Sequence, residues 1–275
     1  MDNIFILIIA GFVVGTLGTL IGAGGGFILV PILLLTHPGL SAEKVTAISM
    51  AIVACNAVSG TLAYARSKRI DYRAGILFAV FTIPGSILGV LATRYIPRHL
   101  FNIIFGLILV ALAVFLFFDS GKAAPVADHG KDSNGWKHHL QTDRAGHFYS
   151  YYFNQYRGIF ISVIVGFLSP LLGIGGGIIH VPALVKWLQF PVYIATATSH
   201  FILAVMSIVS VLVHIGKGSY HDPYILKLVI YLGLGMIAGA QLGALLSHKL
   251  KGNLIIRALA LSLAAVGVRI LVMSL

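Results

Sequence analysis

Long apolar runs set the pattern of this chain. No Asp, Glu, Lys or Arg occurs in residues 3–42, 45–65, 74–93, 100–118, 158–185, 187–216 or 228–247. A helix needs about 20 apolar residues to cross the hydrocarbon layer of a bilayer, so the longer runs hold two crossings, or one crossing plus a broken piece. An outer-membrane barrel would instead show segments of about ten residues with strict alternation, and none are present. The pattern predicts helices over 4–21, 27–35, 42–65, a fourth segment beyond Arg73, and 100–118. In the second half it predicts helices over 158–172, 178–188, 195–216, a segment carrying Gly235, Gly239 and Gly243, and 254–271. Ser41 is placed to cap the third helix, with Glu43 in its first turn.

The two halves repeat one another. Gly22-Ala23-Gly24-Gly25-Gly26, closed by Pro31, returns as Gly173-Ile174-Gly175-Gly176-Gly177, closed by Pro182, at a constant separation of 151 residues. Asp71 and Asp222 are separated by the same interval. The segment after each glycine cluster is too short to span alone, so each pair reads as a re-entrant hairpin or a broken helix. The fold class expected is therefore an all-α integral membrane protein of two repeats, five helical segments each, with glycine breaks at the centre. Residues 1–119 form the first repeat, 120–156 a polar linker and 157–275 the second repeat. The linker's tail, Phe148 to Phe153, reads as an aromatic belt at lipid headgroups.

Composition agrees: 58% of residues are hydrophobic, 10% are charged and the mean hydropathy is +0.96. The formal charge of +11 is distributed as basic loops, which points to membrane topology and not to nucleic acid. Arg66, Lys68, Arg69 and Arg73 crowd the loop after the third helix, whereas its counterpart carries only Lys217. The two loops are thus expected on opposite faces, which makes the repeats inverted. With the basic loop in the cytoplasm, the linker and the Lys249–Lys251 loop lie inside and both termini lie in the periplasm. The apolar start lacks a basic leader and reads as the first membrane segment. The single cysteine, Cys55, excludes an internal disulfide. The linker histidines match no standard metal-ligand spacing, and no metal or cofactor is assigned.

The glycine clusters carry the candidate chemistry. Non-helical backbone survives at membrane depth only where it is buried in protein or lines a wet cavity. Gly24, Gly25 and Gly26, with Gly175, Gly176 and Gly177, free backbone amides at the start of a helix, and such a start favours anions. Spaced glycines such as Gly11, Gly15, Gly85 and Gly89 serve helix packing instead. Ser49, Asn56, Thr198, Ser199, His200 and Gln241 are polar positions inside the apolar segments that can donate to anion oxygens or bond neighbouring helices. No acid lies deep in any segment, which excludes a carboxylate proton relay. His180 and His200 are the candidates for proton coupling, or else neutral histidines bonded between helices. Dispersed histidines and few acids speak against a membrane-embedded enzyme.

The paired Gly-x-Gly-Gly-Gly-x4-Pro motif is followed by Ala47-Ile48-Ser49 in one half and Ala197-Thr198-Ser199 in the other. Together these resemble the TauE/SafE family of sulfite and organosulfonate exporters over nearly the whole chain. The resemblance implies a permease of the bacterial inner membrane for small sulfur-containing anions, working without a cofactor. A secondary transporter using alternating access is the expected mechanism, and an anion channel with a glycine-lined pore is the alternative.

Overall fold

The computed structural model describes residues 3–37, 39–118, 135–247 and 252–274. The Lys249–Lys251 loop and the stretch 119–134 of the linker lie outside them. Among the described residues ten α-helices follow in order, with one strand pair after the fifth. They are α1 (Ile4–Ile21), α2 (Gly26–Thr36), α3 (Ala42–Arg66), α4 (Tyr72–Thr93) and α5 (Arg98–Phe118). After β1 (Trp136–Thr142) and β2 (Phe148–Asn154) come α6 (Gln155–Leu172), α7 (Gly177–Pro182), α8 (Val192–Gly216), α9 (Pro223–Ser247) and α10 (Gly252–Ser274). Within the described residues, six helices, α1, α3, α4, α6, α8 and α9, are long and apolar enough to cross a membrane. Their outward faces are apolar too: Phe5 is 76% exposed, Phe160 67% and Leu212 61%. Surfaces of that kind belong in lipid, and the chain is a multi-pass, all-α membrane protein.

Local sequence explains the boundaries. Ser41 caps α3 by accepting from the Lys44 amide, and Asp71 caps α4 by accepting from the Ala74 amide. Gly22 and Gly173 end α1 and α6 in the left-handed conformation (φ 83° and 69°), which glycine adopts without steric cost. After each break the chain doubles back. One apolar cavity is lined by Leu7 and Ala10 from the start of α1 and by Leu33 and Thr36 from the end of α2, so the two helices form a hairpin. In the second hairpin α7 stops at Pro182 and a π-helical turn, Ala183–Trp187, completes the return.

Packing exchanges partners between the halves. A Cβ on Gly11 would meet Leu232, one on Gly15 would meet Met236 and one on Gly243 would meet Thr16, so α1 and α9 run side by side in one direction. The same relation joins α4 to α6, where Gly158 meets Phe78, Gly166 meets Thr82 and Gly89 meets Phe167. The equivalent helices α3 and α8 cross in opposite directions. Glu43 at the start of α3 pairs with Lys217 just past the end of α8, while Gly60 near the end of α3 meets His200 near the start of α8.

The linker holds more structure than its polarity suggests. Its end folds into an antiparallel hairpin with Trp136 opposite Asn154 and Thr142 opposite Phe148. Alternate residues of β2 turn inward: Tyr151 and Phe153 are each 2% exposed and pack on Phe190, and Phe153 also meets Phe78. The inward rings are therefore protein core and not a headgroup belt, which corrects the expectation for Tyr151 and Phe153.

Candidate functional site

The two hairpin tips meet in the middle of the helix bundle. A Cβ on Gly26 would fall 2.7 Å from the Gly173 carbonyl oxygen, and one on Gly177 would run into the Gly22 carbonyl oxygen. A Cβ on Gly24 would meet Leu203, and one on Gly175 would meet Val53 and the Ala23 carbonyl oxygen. Gly25 and Gly176 are closed off by the methionines Met236 and Met206. Glycine is required here by close approach: backbone lies where a side chain would be. No side chain caps the first turn of α2 or α7.

Helices α3 and α8 wrap this meeting point. The Ser49 hydroxyl donates to the Gly173 carbonyl oxygen at 2.5 Å, tying α3 to the opposite tip. Ser199 sits in the corresponding early turns of α8, fully buried, and its hydroxyl has no hydrogen-bond partner among the described residues. The Thr198 hydroxyl accepts from the Asp71 backbone N–H at 3.0 Å, which fixes α8 to the α3–α4 loop. Asn56 bridges α3 to α1, donating to the Gly15 carbonyl oxygen at 3.0 Å and accepting from the Thr19 hydroxyl at 3.0 Å. His200 lies 3.4 Å from that same hydroxyl through Nε2 and edge-on to Tyr64, while its Nδ1 has no hydrogen-bond partner among the described residues.

The structure thus brings Ser49 to the hairpin tips and joins Asn56 and His200 through the Thr19 hydroxyl of α1, whereas Thr198 bonds the α3–α4 loop and Ser199 is buried on the same helix. It does not bring Gln241 there: that amide donates to the carbonyl and hydroxyl oxygens of Ser59, both at 2.8 Å, in an α3–α9 contact. His180 lies on the other flank, 3.4 Å from the Ser162 hydroxyl of α6. Glu43, Asp71 and Asp222 all stand at helix ends.

Sequence reading missed the group centred on Asp71. Its carboxylate accepts from His139 Nδ1 at 2.5 Å, from the Tyr151 hydroxyl at 2.7 Å and from the Ala74 amide. Burial pushes this carboxyl up, but the bonds from His139, Tyr151 and Ala74 outweigh it and hold it below the usual carboxylate range. The neighbouring carboxylate raises the Tyr151 phenol, adding to the effect of burial. A second carboxylate, Asp143 at the hairpin turn, pairs with buried Arg69 at 3.1 Å. It too is held low: bonds from the His147 amide and Arg69 outweigh burial. The sequence offered little signal for it, because residues 148–154 are mostly aromatic and their alternation appears only as burial in the folded strand.

A helical bundle with an apolar surface and paired broken helices at its centre has the architecture of many membrane transporters. The sequence pattern described as Sulfite exporter TauE/SafE matches residues 7–270, and the chain belongs to that family. It is 31% identical over 272 residues to the probable membrane transporter protein YunE of Bacillus subtilis, covering 97% of this chain and 96% of that one. It is also 27% identical over 257 residues to a probable membrane transporter protein of Methanocaldococcus jannaschii, covering 89% and 86% of the two chains. No solved structure matches.

Proposed function

We propose that the protein is a secondary transporter that exports small sulfur-containing anions, such as sulfite or C2 sulfonates, across the bacterial inner membrane by alternating access. The carrying observation is the meeting of two helix starts without a side-chain cap, Gly26 and Gly177, each against the opposite hairpin tip. Backbone amides and hydroxyls at that point suit an oxyanion, whose charge needs donors more than a fixed cation.

The crossing of α3 and α8 in opposite directions supports two inverted repeats, residues 1–119 and 157–275, related by an axis in the membrane plane. The hairpins then enter from opposite faces. In the arrangement described here the tips touch, so substrate enters when one repeat rocks away from the other. Direct contact of the tips favours such a carrier over a standing anion pore. The basic residues Arg66, Lys68, Arg69 and Arg73 support an orientation with the α3–α4 loop in the cytoplasm and both termini in the periplasm. The partners in this reading are the anion and the lipid bilayer, with no cofactor and no nucleic acid. Calorimetric titration of the purified protein tests the substrate class: heat with sulfite or a short sulfonate is expected. A response only to a cation or a sugar would sink it.

A further inference from the structure

The β-hairpin and the α3–α4 loop enclose a cleft of about 440 Å³ that the central site does not use. Its walls include Arg66, Ser67, Arg69 and Arg144, and its floor is Ala63 of α3 with Gln241 and Ala244 of α9. The turn of the hairpin is fixed to the loop by the Arg144 backbone N–H, which donates to the Ser67 carbonyl oxygen at 3.0 Å. Gln141 adds bonds to the Lys68 and Ile70 carbonyl oxygens at 2.9 and 3.1 Å. The cleft is therefore a built feature, assembled from two elements far apart in sequence.

Its charges are unequal. Asp143 accepts from Arg69 and from the amides of Ala145 and His147, so its charge is matched within the protein. Arg66 and Arg144 are exposed, and among the described residues neither pairs with an acid. Two uncompensated guanidinium groups from facing elements present planar forks of donors, the geometry that matches an oxyanion. One residue beyond the floor, buried Tyr64 donates to the Thr19 carbonyl oxygen and lies edge-on to His200, so the cleft and the central group share a neighbour.

We propose that this cleft is an oxyanion vestibule, in which Arg66 and Arg144 capture a small anion of the sulfite or phosphate type and supply it to the central site. Delivery inward rests on the transporter reading; capture does not. The focused positive field raises the local anion concentration and the rate of encounter.

The test uses the full chain in neutral detergent and in vesicles of phosphatidylcholine alone, so that no anionic headgroup competes. Sulfite binding is titrated and sulfite flux from the cleft side is measured for wild type, Arg66→Gln, Arg144→Gln and the double variant. The double variant is expected to weaken binding and raise KM about tenfold, with maximal flux unchanged and a shallower salt dependence. Arg66→Lys with Arg144→Lys keeps the charge and loses the forks, and should fall between. Unchanged binding and KM in a folded double variant overturn the vestibule and leave the transporter reading standing. Wild-type binding that the double variant loses, without any wild-type flux, upholds the cleft and removes the transporter reading. If adding phosphatidylglycerol at constant ionic strength abolishes sulfite capture, the cleft is a lipid-headgroup site and the vestibule is overturned. Wild type showing neither binding nor flux overturns both.

Discussion

Gly26 faces Gly173 where the two hairpins touch, and a Cβ on Gly26 would lie 2.7 Å from the Gly173 carbonyl oxygen. A methyl group there must push the tips apart. Gly26→Ala is expected to destabilise the protein by about 1–3 kcal/mol, the usual range for overpacking. Gly39→Ala is the control, because nothing lies within 4 Å of a Cβ at Gly39. Thermal unfolding in detergent checks the pair; equal melting temperatures would contradict the close contact.

Ser49 and Ser199 occupy equivalent helices but have different partners. Ser49→Ala leaves the buried Gly173 carbonyl oxygen without its donor, at a cost of about 1–3 kcal/mol. Ser199→Ala removes a buried hydroxyl that has no partner among the described residues, so stability should hold or rise. Its effect is expected in anion affinity instead. Titration with sulfite separates the two: a Ser199→Ala protein that binds as wild type does would take Ser199 out of the site.

The β-hairpin is held by two carboxylates whose native pKa values are depressed, Asp71 and Asp143. A depressed carboxylate contributes stability that is fully present above its unfolded value of about 3.9 and is lost as pH falls through the lower native value. Hydrogen exchange over 136–154 should therefore stay slow from neutral pH down to about 4 and accelerate only below that. Arg69→Met leaves Asp143 buried without its cation and should cost about 3–5 kcal/mol, with fast exchange in the hairpin at neutral pH. Slow exchange in that variant would show that the hairpin is held elsewhere.

Much of the bundle was legible because the membrane imposes it. The apolar runs placed α1 and α3 nearly to the residue, and the 151-residue interval joined Gly22 to Gly173 before any contact was visible. Polar residues inside the bundle were legible as a group but not individually. Asn56 and Gln241 look equally available in the sequence, yet Asn56 lies beside His200 while Gln241 bonds Ser59, because only helix rotation decides which neighbour each meets. The hairpin was hidden by its composition: seven consecutive residues of 148–154 are mostly aromatic, and the alternation that buries Tyr151 and Phe153 shows only once a partner strand exists. The role of Asp71 followed the same logic, since His139 and Tyr151 reach it only through that strand pair.

His200 is the histidine that touches the central group, through the Thr19 hydroxyl, and His180 stands apart beside Ser162. If anion flux is driven by protons, His200→Gln should flatten its dependence on pH while sulfite binding persists. Full, pH-dependent flux in a His180→Ala, His200→Ala protein would remove histidine coupling altogether.

The central claim is that the touching tips part and close around one anion at a time. Counterflow measures this directly, in vesicles loaded with unlabelled sulfite and given labelled sulfite outside. An alternating carrier takes up label faster from loaded vesicles than from empty ones, and that acceleration is expected here. Equal uptake by loaded and empty vesicles would contradict the account and leave a pore in its place.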